Sequence, residues 1–248
     1  MASSIVGTDF EEESVQRYSE ALGTDTVTIE VGGVKGTKKV KFVVHSKILC
    51  AKIPFFEKLF KGGFAEATTQ CATFPDDDPD AFQLLITWTY TGNIANESFI
   101  DGECVSRLRD LFFLADKYDV RDLMDRSIDR FIVEIKERHS LPDPSAVRNI
   151  YDNTHSRCKL RLFFSRVALY GIGNEKFGVD KDVWSDDEIH KLLKDCSELG
   201  VDVVWQLRGK LGKKIPYPWD AHPCHYHQHS MEEACPHGGV STATQIKE

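Results

Sequence analysis

The densest group of side chains that could do chemistry lies near the C-terminus, where seven cysteine and histidine residues fall within sixteen positions. They are His222, Cys224, His225, His227, His229, Cys235 and His237. Cysteine thiolates and histidine imidazoles are the ligands that Zn²⁺ prefers, usually four of them at the corners of a tetrahedron. The chemistry that this composition indicates is therefore metal binding.

Spacing within this group selects four candidate ligands. Cys224 and His227 are separated by two residues, which is the short spacing typical of metal-binding turns. His229 follows His227 by two positions and faces the same side if the chain is extended. Cys235 can close the site from further along the chain. We therefore predict a structural zinc site formed by Cys224, His227, His229 and Cys235, with His237 as the alternative fourth ligand.

Two other interpretations of these residues compete with a structural site. One is a disordered tail that binds metal only adventitiously, and the other is a zinc-dependent enzyme. No glutamate is placed as in the His-Glu-x-x-His motif, so catalytic zinc is disfavoured. The chain also lacks a Gly-x-Ser-x-Gly motif, and the glycines at 171–178 fit neither common phosphate-binding spacing. We therefore expect a protein that is not an enzyme.

The net charge limits the classes of partner that the chain is expected to bind. With 31 lysine and arginine residues against 39 aspartate and glutamate residues, the net charge is −8, which disfavours binding to nucleic acid or to anionic membranes. No run approaches the roughly 18 apolar residues of a membrane span, and the N-terminus has no export signal pattern. The seven cysteines are an odd number, which favours reduced thiols. We expect a soluble protein of the cytoplasm, the nucleus or both.

Alternating apolar residues predict a small sheet early in the chain. Val27, Ile29 and Val31 alternate with polar residues, and the same period returns at positions 40–44 after a glycine-rich turn. These two segments predict a hairpin. A third strand is expected at positions 70–74.

From Ser46 onward the apolar spacing becomes helical, with Ser46 as the expected N-cap and Pro54 in the first turn of a second short helix. Three longer helices are predicted, the first from about position 82 to its end at Thr91-Gly92 and the others at about positions 105–115 and 123–135. Ser185 and Glu188 form a capping box, which predicts a helix that continues past Leu199 and ends at Gly200.

Helix-breaking prolines and changes in composition divide the chain into four predicted parts. Leu141-Pro142-Asp143-Pro144 is the best boundary, because two prolines so close together end a helix. We predict an acidic N-terminal tail at 1–24, a first domain at 25–138, a helical extension at 139–215 and a Cys/His-rich tail at 216–248.

Five fragments, in a fixed order, resemble the BTB/POZ family. They are residues 25–33, 42–60, 74–76, 90–92 and 114–118. The resemblance implies an α+β BTB/POZ fold, in which a small sheet is flanked by a helical cluster. Val31-Gly32-Gly33 also resembles the channel-tetramerisation branch, but His45 with Leu49 and Phe56 favours the ordinary branch. The residues after the first domain resemble the C-terminal region of fungal BTB proteins.

The resemblance implies an interaction protein. Family members self-associate and recruit other proteins, and many present a target to a cullin-type ubiquitin ligase. Phe64-Ala65-Glu66 stands where ligase adaptors carry a hydrophobic-x-Glu motif, so Phe64 and Glu66 are the expected partner-binding residues. The alternative is that Phe64 covers the edge of the core and Glu66 is solvated. The resemblance therefore predicts a homodimeric or larger adaptor with unidentified partners, a cullin among them, and leaves a transcription-associated scaffold as the alternative.

Overall fold

The computed structural model describes residues 20, 22–34, 38–94, 104–138, 141–173, 183–210, 212–229 and 235. These residues form three strands and ten α-helices. They fall into two compact units, the first within residues 1–95 and 114–120 and the second within residues 96–113 and 121–248. The predicted α+β class is confirmed, while the predicted domain boundaries stay predictions.

The sheet lies in the first unit and has the order β2, β1, β3. β1 (Thr26–Val31) pairs antiparallel with β2 (Val40–His45) and parallel with β3 (Cys71–Phe74). Ile29 stands opposite Phe42 on β2 and Ala72 on β3, and all three side chains are buried. This pairing confirms the predicted hairpin and the predicted third strand. Alternate residues of each strand face the core.

Four helices of the first unit come after β2, three of them before β3 and one after it. They are α1 (Ser46–Lys52), α2 (Pro54–Lys61), α3 (Ala65–Thr69) and α4 (Pro79–Thr91). Pro54 begins α2 as predicted. The prediction that Ser46 caps α1 is wrong, because Ser46 is already helical and the extended residue before it, His45, is the cap. His45 is fixed by Tyr90, whose hydroxyl lies 2.7 Å from Nδ1 and 3.0 Å from the backbone nitrogen.

An aromatic cluster lies in the core of the first unit. Tyr118, directly after α5 (Cys104–Lys117), places its ring centroid 5.1 Å from that of Phe56 and 5.8 Å from that of Phe74. Its hydroxyl donates a hydrogen bond to Asp77, a buried carboxylate that also forms an ion pair with Lys117. These contacts fix residues 114–120 within the first unit.

The second unit contains the remaining described helices. They are α6 (Arg121–Arg138), α7 (Pro144–Asn153), α8 (Lys159–Gly173), α9 (Asp186–Asp195) and α10 (Ser197–Arg208). The apolar stripe of α6 packs inward, and its Phe131 ring meets the ring of Phe164 edge-on at 5.7 Å. Among the helices that the structure describes, none combines the length and the apolar character of a membrane span.

The prediction of one helix that ends at Gly200 is wrong, because the structure has two helices and the second continues through Gly200 to Arg208. The Ser185 half of the predicted capping box is confirmed, because the Ser185 hydroxyl accepts a hydrogen bond from the backbone N–H of Glu188. The helix then breaks at Cys196, which leaves the helical region at φ −125° and ψ 79°. Ion pairs fix the chain on both sides of the break, from Arg148 to Asp195 and from Arg161 to Glu198. Apolar spacing continues through the break, so the sequence pattern did not reveal it.

Candidate metal centre and partner surface

The Cys/His segment belongs to the second unit and contains two short 3-10 turns. They are Pro218–Asp220 and Pro223–His225, each with proline at its first position. The segment is anchored by Tyr226, which is fully buried and places its ring 5.2 Å from that of Phe163 on α8. Its hydroxyl donates to the carbonyl of Pro218 at 2.6 Å and accepts from Arg166 at 2.8 Å. The aromatic anchor therefore fixes the chain immediately before the candidate ligand His227.

The structure brings the four predicted ligands together. One ligand atom from each of Cys224, His227, His229 and Cys235 lies within 4.8 Å of the other three. Nδ1 of His227 is 3.3 Å from Nε2 of His229 and 3.6 Å from Sγ of Cys235. Zinc bonds of about 2.0 to 2.3 Å in a tetrahedron require ligand atoms about 3.3 to 3.8 Å apart. The cluster is thus geometrically compatible with a metal site, and the alternative ligand His237 lies outside the described residues.

Burial distinguishes this cluster from an exposed histidine-rich tail. Cys224, His227 and Cys235 are buried, and His229 is half-buried. Burial, and then the hydrogen bond with Cys235, raise the pKa of the Cys224 thiol to about 11. Without a cation this thiol keeps its proton at neutral pH, so a metal ion must displace that proton in order to bind.

Two aspartates of α6 contact the same segment. Nε2 of His227 lies 2.9 Å from Oδ1 of Asp129, and the backbone N–H of Gln228 donates to Oδ1 of Asp125 at 2.7 Å. Burial lowers the pKa of His227, but the hydrogen bond and the negative charge of Asp129 outweigh that effect, and the net pKa is raised. Neither aspartate was predicted from the sequence. One feature of the sequence could have indicated this contact. Asp125 is an acidic residue beside Met124, within the apolar stripe predicted for α6.

The predicted partner residues Phe64 and Glu66 lie at the start of α3 in the first unit. Phe64 is the N-cap residue and its side chain is 60% exposed, so it does not cover the core. Glu66 lies in the first helical turn and is half-buried. A negative charge at that position also interacts favourably with the helix dipole. An exposed phenylalanine beside an acidic group is a surface that a partner's pocket can bind.

Comparison with known proteins identifies the first domain. The family model described as BTB/POZ domain matches residues 21–134. Residues 21–134 are a BTB/POZ domain. The match includes β1, β2, β3, the helices α1 to α5 and most of α6.

Several mammalian proteins resemble this chain. It is 28% identical to BTB/POZ domain-containing protein 9 of Homo sapiens over 168 residues, which are 66% of this chain and 26% of that protein. It is 32% identical to TD and POZ domain-containing protein 4 of Mus musculus over 84 residues, 34% of this chain and 21% of that protein. With Kelch repeat and BTB domain-containing protein 6 of Homo sapiens it shares 35% identity over 72 residues, 28% of this chain and 10% of that protein.

The chain therefore spans about a quarter or less of the length of these relatives. The match to BTB/POZ domain-containing protein 9 is long enough to extend beyond the BTB/POZ domain itself. The resemblance to fungal BTB proteins stays a prediction.

Proposed function

We propose that this protein is an interaction adaptor of the cytoplasm or nucleus, which self-associates through its BTB/POZ domain and recruits partner proteins. The observation that carries the proposal is the family match over residues 21–134. An adaptor needs surfaces rather than a substrate pocket, and the exposed Phe64 provides one in the first unit. A cullin-type ubiquitin ligase scaffold is the partner that we propose for this surface.

The exposure of Phe64 and the position of Glu66 beside it support these two residues as a partner contact. Aromatic side chains that enter a partner's pocket commonly cost about 2 kcal/mol or more when truncated. Phe64 precedes α3 and is not required to fill the core, so its truncation should leave the BTB/POZ domain folded. Glu66 sits on the first turn of the same short helix, where its carboxylate can accept a hydrogen bond from the partner.

Isothermal titration calorimetry with purified N-terminal regions of the cullins from the source organism tests this proposal. The wild type should bind one of them, and the double variant Phe64→Ala, Glu66→Ala should bind at least about 30-fold more weakly. Trp205→Ala is the matched control, because Trp205 is an exposed aromatic residue of the second unit. Absence of binding by the wild type contradicts the cullin assignment, whatever the variant does.

We also propose that Cys224, His227, His229 and Cys235 bind one structural zinc ion. Two sulfur and two nitrogen ligands are a donor set typical of zinc, and four protein ligands complete the tetrahedral shell of a structural site. A catalytic zinc site keeps one position open for water, so the four clustered ligands favour structure over catalysis. The zinc content of the chain purified without an affinity tag tests this proposal.

A further inference from the structure

Two carboxylates of α6 contact the Cys/His segment. Asp129 contacts His227, and Asp125 contacts the backbone of Gln228. We infer that Asp129 and Asp125 couple metal binding at the Cys/His cluster to docking of residues 227–229 on α6, with Asp129 acting as a positioning residue for His227. This inference rests on the proposed zinc site.

Asp129 selects which nitrogen of His227 faces the metal position. Nδ1 of His227 points toward the other ligands, 3.6 Å from Sγ of Cys235 and 3.3 Å from Nε2 of His229. An imidazole nitrogen that binds a metal carries no proton, so the proton of the neutral ring must be on Nε2. Asp129 lies 2.9 Å from that nitrogen and accepts its hydrogen bond. The carboxylate thus fixes the tautomer and the ring orientation that a metal at Nδ1 requires.

Asp125 fixes the next residue of the same segment. Asp125 is 2% exposed, and its Oδ1 accepts the backbone N–H of Gln228 at 2.7 Å. A carboxylate this deeply buried is costly unless it is hydrogen-bonded, so the Gln228 amide contributes to its stability. Asp125 and Asp129 are four residues apart and therefore lie on one face of α6. That face binds the residue between the two histidine ligands as well as the first of those ligands.

The two interactions share one side chain, which is the origin of the coupling. His227 offers Nδ1 to the metal position and Nε2 to α6, and it is itself buried. A metal ion that orders the ring from one side favours the hydrogen bond on the other side, and the effect is reciprocal. The last described helix of the BTB/POZ match is therefore predicted to respond to the metal content of the C-terminal segment.

The affinity of the full chain for Zn²⁺, measured by competition with a chromophoric chelator, tests the inference. Asp129→Asn keeps the size of the side chain, but its amide N–H₂ can donate to Nε2 and so favour the wrong tautomer. Loss of such an outer hydrogen bond weakens metal binding about 10-fold to 100-fold. Glu137→Gln removes the same charge from an exposed position of α6 and is the matched control, with an affinity within about twofold of the wild type. The Co²⁺-substituted Asp129→Asn variant should also have an altered visible absorption spectrum.

A second measurement uses the unaltered chain, so it does not depend on the variant folding. Hydrogen exchange of the α6 amides should be faster after zinc is removed by a chelator than before, with the largest change around residues 125–129. Unchanged affinity and spectrum in Asp129→Asn, or unchanged exchange in α6, overturns the inference while the zinc proposal stands. A wild type that binds no zinc contradicts both the zinc proposal and this inference. The wild-type affinity for Zn²⁺ therefore distinguishes failure of the zinc proposal from failure of the inference alone.

Discussion

The hydroxyl of Tyr118 donates a hydrogen bond to the carboxylate of Asp77, which lies 41 residues earlier in the chain. Burial, with the hydrogen bond to Asp77 added, raises the pKa of Tyr118 far above its usual range, so the hydroxyl remains a donor at neutral pH. Asp77 is itself buried and also forms an ion pair with Lys117. One buried carboxylate thus joins the loop before α4 to the residues after α5.

Removing this donor should destabilise the protein. Tyr118→Phe keeps the ring packing but leaves an oxygen of the buried Asp77 without its donor, and this should lower the free energy of unfolding by roughly 1 to 3 kcal/mol. Lys61→Met is the comparison, because the Lys61–Glu57 pair is 56% exposed on both sides and such pairs contribute less than about 1 kcal/mol. Urea denaturation of both variants measures the difference. Equal midpoints for Tyr118→Phe and the wild type would show that the hydrogen bond does not contribute.

Self-association should be measurable in solution. The proposed adaptor function requires the BTB/POZ domain to pair with another copy, so the purified chain should have at least twice the mass of one 28.1 kDa chain. Multi-angle light scattering at micromolar concentrations, with serial dilution, gives that mass directly. A monomeric mass across the whole range contradicts the prediction.

Zinc binding should weaken as the pH falls. Only deprotonated thiols and neutral imidazoles bind zinc, and protons therefore compete with the metal. Because the pKa of the Cys224 thiol is raised to about 11, this competition operates throughout the neutral range and increases toward acid. The apparent zinc affinity, measured at several values between about pH 6 and pH 8, should decrease at each step toward acid. An affinity independent of pH would exclude thiolate ligands.

Local patterns were sufficient to predict much of the first unit. The period of two at Val27, Ile29 and Val31 predicted β1, because each alternate residue faces the core. Pro54 and Gly92 were placed correctly at a helix start and a helix end, because the fixed φ of proline and the left-handed conformation open to glycine act within one turn. In each case the physical cause lies within a few residues of the feature.

The features that the sequence did not reveal depend on long-range contacts. The break at Cys196 lies between two ion pairs whose arginines are on α7 and α8, so the local apolar spacing does not show it. Asp129 contacts His227 from 98 positions away, and no spacing rule joins them. The four candidate ligands could be grouped from the sequence because they are close together in it, and the structure places their ligand atoms within 4.8 Å of one another.

The zinc content of the untagged chain decides whether Cys224, His227, His229 and Cys235 form a structural metal site. The C-terminal segment has few apolar residues to offset its conformational entropy, about 1 to 2 kcal/mol for each ordered backbone residue. A structural zinc site in a small peptide contributes about 10 to 16 kcal/mol at neutral pH, which is enough to order such a segment. Elemental analysis should therefore find about one zinc per chain, and Cys224→Ser should lose it while the BTB/POZ domain stays folded. A zinc content far below one per chain, with equal protease sensitivity of the segment before and after chelation, would contradict the account.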